Sequence, residues 1–295
     1  MQSLPLVVSL VVAALVGGPL VRALREHGLV RENFRGTPLP FPIGVALPVA
    51  ALVALIPLAL VQELGDADVF LPGAYPAVTY VVGVALLGLL DDLVGSGAFG
   101  TGPRTADRGP QGSDAPPRGW RGHGRAIVSG GFSTGAAKAA GSLGIALFAL
   151  SGRGYSTEEY LLGAGVLVLA TNLFNLLDLR PGRSAKALLL LGAALTLGSL
   201  DVDGLWTVGL FLGPVLVLLP LDLRERGMLG DTGSNAIGAV AGVWLIATLD
   251  TTGQAVALAA MALITLYGEF RSISRLIDRT PGLRHLDSLG RTTHA

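Results

Sequence analysis

Side chains that could bind a metal ion or a phosphate occur in four separate groups along the chain. The first group is the adjacent pair Asp91 and Asp92. Two neighbouring carboxylates repel each other unless a cation offsets their charge. The pair therefore suits Mg2+, a hard ion that takes oxygen ligands and often bridges to substrate phosphates. A pair of merely solvated acids is the alternative interpretation.

The second group is formed by Asn172, Asn175 and Asp178, which follow one another at intervals of three residues. That spacing places all three on one face of a helix. Arg180 and Arg183 come directly afterwards. A carboxylate beside cations that pair with phosphate favours a nucleotide or phosphate pocket. Alternatively, the two amides only form hydrogen bonds with neighbouring helices.

The third group is the segment from Gly230 to Ser234, which reads Gly-Asp-Thr-Gly-Ser. Glycine lets the backbone approach a ligand closely, and amides at a helix N-terminus attract phosphate. Asp231 is the acidic member of this group. An ordinary helix cap at Asp231 is the alternative.

The fourth group is a single residue, Lys138, one of only two lysines in the chain. It opens a predicted helix, and its ammonium group could hold phosphate charge. A lysine that merely extends its side chain to the membrane surface is the alternative.

The elements that carry these groups are strongly apolar. Hydrophobic residues make up 51% of the chain and charged residues 14%, against about 25% charged in soluble domains. Apolar runs approach the length of about 20 residues that crosses a hydrocarbon core. The absence of cysteine excludes disulfides and thiolate metal sites. A net charge of zero gives no indication of a nucleic-acid partner.

The apolar runs predict an all-α, polytopic membrane protein with about nine transmembrane helices. Every lysine and arginine except Arg153 then falls in a loop on the inner side, as the positive-inside rule requires. The N-terminus is predicted outside and the C-terminus in the cytoplasm, and the four groups lie at the cytoplasmic face. The predicted spans lie near residues 4–24, 42–61, 74–90, 136–151, 160–177, 185–200, 204–221, 235–249 and 254–270.

The spans define a predicted transmembrane domain over residues 1–270. Within it, residues 95–130 are rich in Gly, Pro, Arg and Ser and lack apolar periodicity, which predicts a flexible cytoplasmic loop. Residues 271–295 form a predicted amphipathic tail, interrupted at Pro281, that lies on the anionic inner leaflet. A merely solvated tail is the alternative.

Taken in order, the motifs resemble those of the polyprenyl-phosphate N-acetylhexosamine-1-phosphate transferase family, also called glycosyltransferase family 4. This family includes phospho-N-acetylmuramoyl-pentapeptide transferase and UDP-GlcNAc:undecaprenyl-phosphate GlcNAc-1-phosphate transferase. The resemblance rests on residues 33–38 (Asn-Phe-Arg-Gly-Thr-Pro), Asp91-Asp92, residues 131–138 with Lys138, Asn172-x-x-Asn175-x-x-Asp178, and residues 230–234.

The resemblance implies transfer of a sugar phosphate from a UDP-sugar to a membrane polyprenyl phosphate, with Mg2+ required. It implies that Asp231 is the chief Mg2+ ligand, with Asp92 as a second. The implied catalytic residues are Asp91, Asp92, Lys138 and Asp231. The implied substrate-binding residues are Arg35, Asn172, Asn175, Asp178, Arg180, Arg183, Gly230 and Ser234.

Three departures from the family pattern concern nucleotide recognition. The usual Asp-Gly-x-Asp-Gly is replaced by residues 178–182, Asp-Leu-Arg-Pro-Gly, so an acid is lost and a cation gained. Met228 and Leu229 stand where an aromatic residue commonly stacks on the base. The family's histidine-rich motif is missing as well. Metal and phosphate chemistry are therefore expected to be retained, and nucleotide recognition to be altered.

We expect a multi-pass enzyme of the cell (inner or plasma) membrane whose partners are a polyprenyl phosphate and a nucleotide-sugar, with no nucleic acid. A homodimer is one arrangement that the sequence leaves open. The first rival is a non-catalytic paralogue that binds lipid phosphate or scaffolds an envelope-building complex. A lipid or solute transporter is the second rival, disfavoured because no ionisable residue lies at the middle of a predicted span.

Overall fold

The computed structural model of the protein describes residues 1–95 and 134–292. The predicted flexible loop at 95–130 lies outside the described residues, apart from Gly95. Residues 131–133, which precede Lys138 in its motif, lie outside them as well.

The described residues form helices and one short hairpin. The strands are β1 (Val30–Glu32) and β2 (Pro38–Pro40), and a 3-10 turn covers Ile43–Val45. The helices are α1 (Leu4–Glu26), α2 (Ala46–Leu64), α3 (Ala74–Gly95), α4 (Thr134–Leu150), α5 (Thr157–Leu177), α6 (Arg183–Ser199), α7 (Asp203–Leu223), α8 (Gly230–Thr248), α9 (Thr251–Phe270), α10 (Ile273–Arg279) and α11 (Pro281–Ser288).

The prediction of an all-helical, polytopic membrane protein is confirmed. Each of the nine segments predicted to cross the membrane is a helix, α1 to α9. Six of them are long and apolar enough to cross a membrane: α1, α2 together with its preceding 3-10 turn, α3, α5, α7 and α9. Helices α4 and α6 have 17 residues each and α8 has 19, so length and composition alone do not make these three transmembrane.

Helix α8 is the centre of the bundle. Every residue from Thr232 to Leu245 is buried, and the helix packs against α3, α5, α6 and α7. Small residues make this close packing possible. A Cβ at Gly238 would lie 2.7 Å from the Cα of Thr171 on α5. Because α8 is surrounded by protein, its side chains need not be as apolar as those of a lipid-facing helix.

The hairpin that carries Arg35 was not predicted from the sequence. Its strands pair antiparallel, and the Asn33 side chain accepts hydrogen bonds from the Arg35 and Thr37 amides to close the turn. Just after the hairpin, the amides of Ile43 and Gly44 donate to carbonyls of residues 228 and 229. These bonds fasten the hairpin segment to the loop that leads into α8.

Candidate active site at one end of the helix bundle

Four helices bring the predicted site residues to the same end of the bundle. Helices α3 and α5 finish there, with Asp91 and Asn175 near their ends, while α4 and α8 begin there, with Lys138 and Asp231 near their starts. The alternating directions of the chain therefore place residues from four distant parts of the sequence close together.

The ammonium of Lys138 lies between two carboxylates. Its Nζ is 2.5 Å from Asp231 Oδ2 and 3.2 Å from Asp91 Oδ2. The side chains of Lys138, Asp91 and Asp231 are 19%, 25% and 32% exposed, so all three remain open to a ligand. Lys138 therefore pairs with carboxylates of the protein, in contrast to the alternative in which its side chain simply extends to the membrane surface.

Asn175 joins the same cluster through its amide. Its hydrogen-bonding partners assign the amide orientation: the oxygen accepts from Lys138 Nζ at 3.2 Å, and the nitrogen donates to Asp231 Oδ1 at 3.2 Å and Ser234 Oγ at 2.9 Å. Ser234 Oγ in turn donates to the carbonyl of Gly230 at 3.0 Å. The predicted residues Asn175, Gly230 and Ser234 thus support Asp231, and they do so from α5 and α8.

Asp92 has a different environment from its neighbour Asp91. Its side chain is buried, and its two oxygens accept hydrogen bonds from the Asp231 amide at 2.9 Å, the Thr232 amide at 2.9 Å and the Thr232 hydroxyl at 2.6 Å. Asp92 therefore caps the N-terminus of α8 from outside that helix, the task that an N-cap side chain usually performs. These two amides are directed at a carboxylate of the protein and not at a ligand.

Asp231 is not the cap of its own helix, which was the alternative interpretation of this residue. Residue Leu229 occupies the N-cap position and makes no capping hydrogen bond with its side chain. The carboxylate of Asp231 is directed to Lys138. The division of labour between Asp92, which caps, and Asp231, which faces the cluster, could not be read from the sequence.

Glycines permit the close approach of α3 and α8. A Cβ at Gly88 would lie 2.5 Å from the carbonyl oxygen of Asp231, and a Cβ at Gly230 would lie 2.7 Å from Asp92 Oδ2. Gly230 also has a positive φ of 72°, which favours glycine. The glycines around Asp231 thus serve packing between helices, and the predicted contact of Gly230 with a ligand stays a prediction.

A second pair of acids lies beside the first cluster. Asp178 follows the last residue of α5, and Asp222 lies near the end of α7, where Asp222 Oδ2 accepts from the Gly182 amide at 2.6 Å. Burial, then the neighbouring carboxylates of Asp222, Asp231 and Asp92, raise the pKa of Asp178 well above its usual value. Sequence reasoning missed Asp222, although an acid at the cytoplasmic end of a predicted span was the available signal.

Asn172 is the remaining member of the predicted polar face on α5. It lies one turn before Asn175 and is partly buried. Its contact with a nucleotide stays a prediction.

The guanidinium of Arg183 forms hydrogen bonds with the C-terminal tail. Arg183 Nε and Nη2 donate to the two carboxylate oxygens of Asp287 at 2.8 and 3.0 Å, and Nη1 donates to Ser274 at 2.9 Å. Arg291 also donates to both oxygens of the Asp287 carboxylate, and it donates to the carbonyl of Pro181 at 2.9 Å. The predicted phosphate contact of Arg183 stays a prediction, since in this structure the group binds the tail.

The tail itself consists of the two short helices α10 and α11, which meet at Pro281 as the sequence indicated. The second lysine, Lys186, donates to three backbone carbonyls at the end of α11. Partial burial opposes ionisation of Asp287, but hydrogen bonds from Arg183 and Arg291 lower the pKa of its carboxyl below the usual value. Docking of the tail onto α6 was not predicted.

Arg35 and Arg180 meet at the exposed aromatic ring of Phe34. The guanidinium carbons lie 5.0 and 4.5 Å from the ring centroid, within the range of cation–π attraction. Arg35 also pairs with Glu225 at 3.4 Å, and Asn33 donates to the same carboxylate at 2.7 Å. Two of the predicted substrate-binding cations therefore form one surface with Phe34, a residue that sequence reasoning had not selected.

The groups around Lys138 include oxygen donors of the kind that Mg2+ binds. Among residues 1–95 and 134–292, no three His, Cys, Asp or Glu side chains are grouped as a metal centre. Oxygens of Asp91, Asp231 and Asn175 nevertheless surround one cation, the ammonium of Lys138. Mg2+ commonly uses one or two carboxylates, with water and substrate phosphate completing its ligands. The oxygen donors therefore fit Mg2+, and metal ligation by Asp92 stays a prediction.

Comparison with known proteins gives no family assignment: no protein-family model matches the chain, and a search of curated proteins finds no match to it.

Proposed function

We propose that the protein is a membrane-embedded phosphotransferase that moves a sugar phosphate from a nucleotide-sugar, with UDP as its nucleotide part, to a polyprenyl phosphate. The product is a polyprenyl-diphosphate-linked sugar for cell-envelope glycan synthesis. The proposal rests on the motifs that resemble the polyprenyl-phosphate N-acetylhexosamine-1-phosphate transferase family and on the site geometry that supports them.

The observation that carries the proposal is the meeting of Lys138 with Asp91 and Asp231. A reaction between two phosphate-bearing substrates brings anions together, so it needs positive charge and positioning more than covalent chemistry. Lys138 offers positive charge, and the two partly exposed carboxylates offer oxygen ligands for a metal ion. All three side chains are partly exposed at the same end of the bundle.

The transfer forms one P–O bond and breaks another. An oxygen of the lipid phosphate attacks the phosphorus that carries the sugar, and the bond from that phosphorus to the nucleoside monophosphate breaks. The departing oxygen keeps the electron pair. Bound Mg2+ would supply further positive charge to the reacting phosphates. Asp91 is better placed than Asp92 to take a proton from the lipid phosphate, because the Asp91 side chain is partly exposed and Asp92 is buried.

The proposed arrangement in the membrane has nine crossings, with α4, α6 and α8 crossing among the six longer or more apolar helices. The protein then lies in the inner or plasma membrane, with its N-terminus outside and the candidate site facing the cytoplasm. The positive-inside rule supports this orientation, since Arg153 is the single cation on the other side. The site would then lie where a soluble nucleotide-sugar and a membrane lipid can meet.

Release of a nucleoside monophosphate tests the proposal. Purified protein is incubated with undecaprenyl phosphate, Mg2+ and a panel of nucleotide-sugars, with Asp231→Asn as the control. We expect release of UMP that requires the lipid, the metal ion and Asp231. No release from any donor would contradict the proposed activity.

A non-catalytic paralogue that binds lipid phosphate is the second candidate. One observation favours it: the charged groups pair with one another within the protein, Lys138 with two carboxylates and Arg183 with Asp287. This candidate predicts binding of undecaprenyl phosphate in the same assay with no release of nucleotide.

A further inference from the structure

Three oxygen-bearing side chains lie around the ammonium of Lys138. Its Nζ has three oxygen neighbours, from Asp231 at 2.5 Å, Asp91 at 3.2 Å and Asn175 at 3.2 Å. These belong to α8, α3 and α5, while the lysine extends from α4. Three elements of the fold thus supply oxygens to one cation that a fourth element provides.

The carboxylate of Asp92 is bound differently from the three groups around Lys138. Asp92, the nearest additional carboxylate along the chain, uses its oxygens to cap α8. Asp91, Asp231 and Asn175 supply the oxygens that lie around the Lys138 ammonium. An ammonium and a divalent ion at the same three oxygens would be in direct contact and would repel each other strongly.

We propose that Lys138 and a divalent cation compete for the oxygens of Asp91, Asp231 and Asn175, so that the metal ion binds only when the Lys138 ammonium moves away. The inference rests on the proposed function, since it uses the site assigned there. Lys138 accordingly has two positions: paired with the carboxylates, as in this structure, and displaced from them when a divalent cation takes their oxygens.

The displaced ammonium needs another anion, and a substrate phosphate is the anion that the proposed reaction brings. The Lys138 side chain is partly exposed, so it can turn toward a ligand at the open end of the cluster. A phosphate that draws the ammonium away favours metal binding, and by linkage the metal favours phosphate binding to the same degree. Metal affinity is thereby tied to the presence of substrate.

Titration with Mn2+ alone, followed by electron paramagnetic resonance of the free ion, tests the competition without any reaction. Lys138→Met removes the competing charge and should bind Mn2+ about tenfold more tightly than the wild type, a coupling of ordinary size. Lys138→Arg keeps a cation and should bind Mn2+ as weakly as the wild type. The chain offers a matched control in its other lysine: Lys186→Met should leave Mn2+ binding unchanged.

Addition of undecaprenyl phosphate provides the second part of the test. The lipid should tighten Mn2+ binding more in the wild type than in Lys138→Met, because only the wild type has an ammonium to displace. Equal or weaker Mn2+ binding by a folded Lys138→Met protein would overturn the proposal. So would tight Mn2+ binding by Lys138→Arg.

The failure of this inference is distinguishable from the failure of the proposed function. Nucleotide release by the wild type together with unchanged Mn2+ affinity in Lys138→Met would overturn the competition and leave the transferase intact. Conversely, tighter Mn2+ binding in Lys138→Met without nucleotide release from any donor would support the competition and contradict the transferase.

Discussion

The carboxylate of Asp92 accepts a hydrogen bond from the backbone amide of Asp231, 139 residues later in the chain. Helix α3 therefore holds the first turn of α8 in place, and with it the carboxylate that faces Lys138. The two acids have separate tasks: Asp92 positions the first turn of α8, and Asp231 pairs with Lys138.

The first prediction separates these tasks by stability. In Asp92→Asn an NH2 group replaces one acceptor and meets a backbone amide, so we expect the protein to lose about 1–2 kcal/mol of unfolding free energy. Activity should fall with it. Thermal unfolding in detergent measures the loss. The neighbouring substitution Asp91→Asn is the matched control and should lower the melting temperature less, since the Asp91 side chain is 25% exposed whereas Asp92 is buried. Equal melting temperatures for wild type and Asp92→Asn would contradict the capping role.

The second prediction concerns the contact between α3 and α8. Gly88→Ala would place a methyl group 2.5 Å from the Asp231 carbonyl oxygen, so the helices must separate at a cost of about 1–3 kcal/mol. We expect a lower melting temperature and loss of activity. Gly144→Ala, where a Cβ meets nothing within 4 Å, should instead keep or raise the melting temperature, because alanine favours helix. An unchanged melting temperature in Gly88→Ala would contradict the close contact between α3 and α8.

The third prediction concerns the surface formed by Arg180, Arg35 and Phe34. Arg180→Asp reverses the charge that lies over the Phe34 ring and should change the preference among nucleotide-sugars more than the Mg2+ requirement. The ratio of kcat/KM between two donors is the quantity to measure. Arg226→Asp, an equal charge reversal at an exposed position on the loop before α8, should leave that ratio unchanged. An unaltered donor profile in Arg180→Asp would remove this segment from the nucleotide site.

The fourth prediction concerns the pH dependence of the docked tail. The pKa of Asp287 is lowered by its arginine partners, so the ion pair stabilises the docked state above the usual aspartate pKa of about 3.9. That stabilisation should disappear as the pH falls below about 3.9, through the lowered pKa. Hydrogen exchange of amides in residues 273–292, corrected for intrinsic rates, should therefore accelerate on acidification in the wild type.

Substitution of Asp287 completes that test. In Asp287→Asn the tail amides should exchange about tenfold faster at pH 7, because a buried pair loses one partner. Their corrected rates should then change little with acid. Asp278→Asn, an exposed acid on the same tail, should behave as the wild type does. A tail whose exchange is unaffected by Asp287→Asn would show that this ion pair does not hold it.

The helices, and the meeting of the candidate site residues at one end of the bundle, could be predicted from the sequence. Apolar runs mark α1 to α9 because a membrane or a bundle interior selects for them, and the polar groups Asp91, Asn175 and Asp231 are conspicuous against that background. Their meeting at one end follows from the alternation of helix direction. The number of membrane-crossing helices is harder to predict from hydropathy. Helix α8 is buried by its protein neighbours, so it does not need the hydropathy of a lipid-facing helix.

The contacts within the site could not be predicted. Asp91 and Asp92 are identical in type and adjacent, yet only the position of α8 decides which one caps and which one faces Lys138. Nothing in the sequence marks Asp287 as important, because its partner Arg183 lies 104 residues earlier in the chain. Such pairings depend on how helices pack, and neither spacing nor periodicity records them.

The most direct test of the central claim is nucleoside monophosphate release by wild type and Asp231→Asn, each incubated with undecaprenyl phosphate, a nucleotide-sugar panel and Mg2+. Asp68→Asn, an exposed acid between α2 and α3, serves as the matched control. The proposed transferase activity predicts UMP release by the wild type and Asp68→Asn, abolished by chelation of Mg2+ and nearly absent in a folded Asp231→Asn protein. Undiminished release by Asp231→Asn would contradict it, and so would the absence of release from the wild type with every donor.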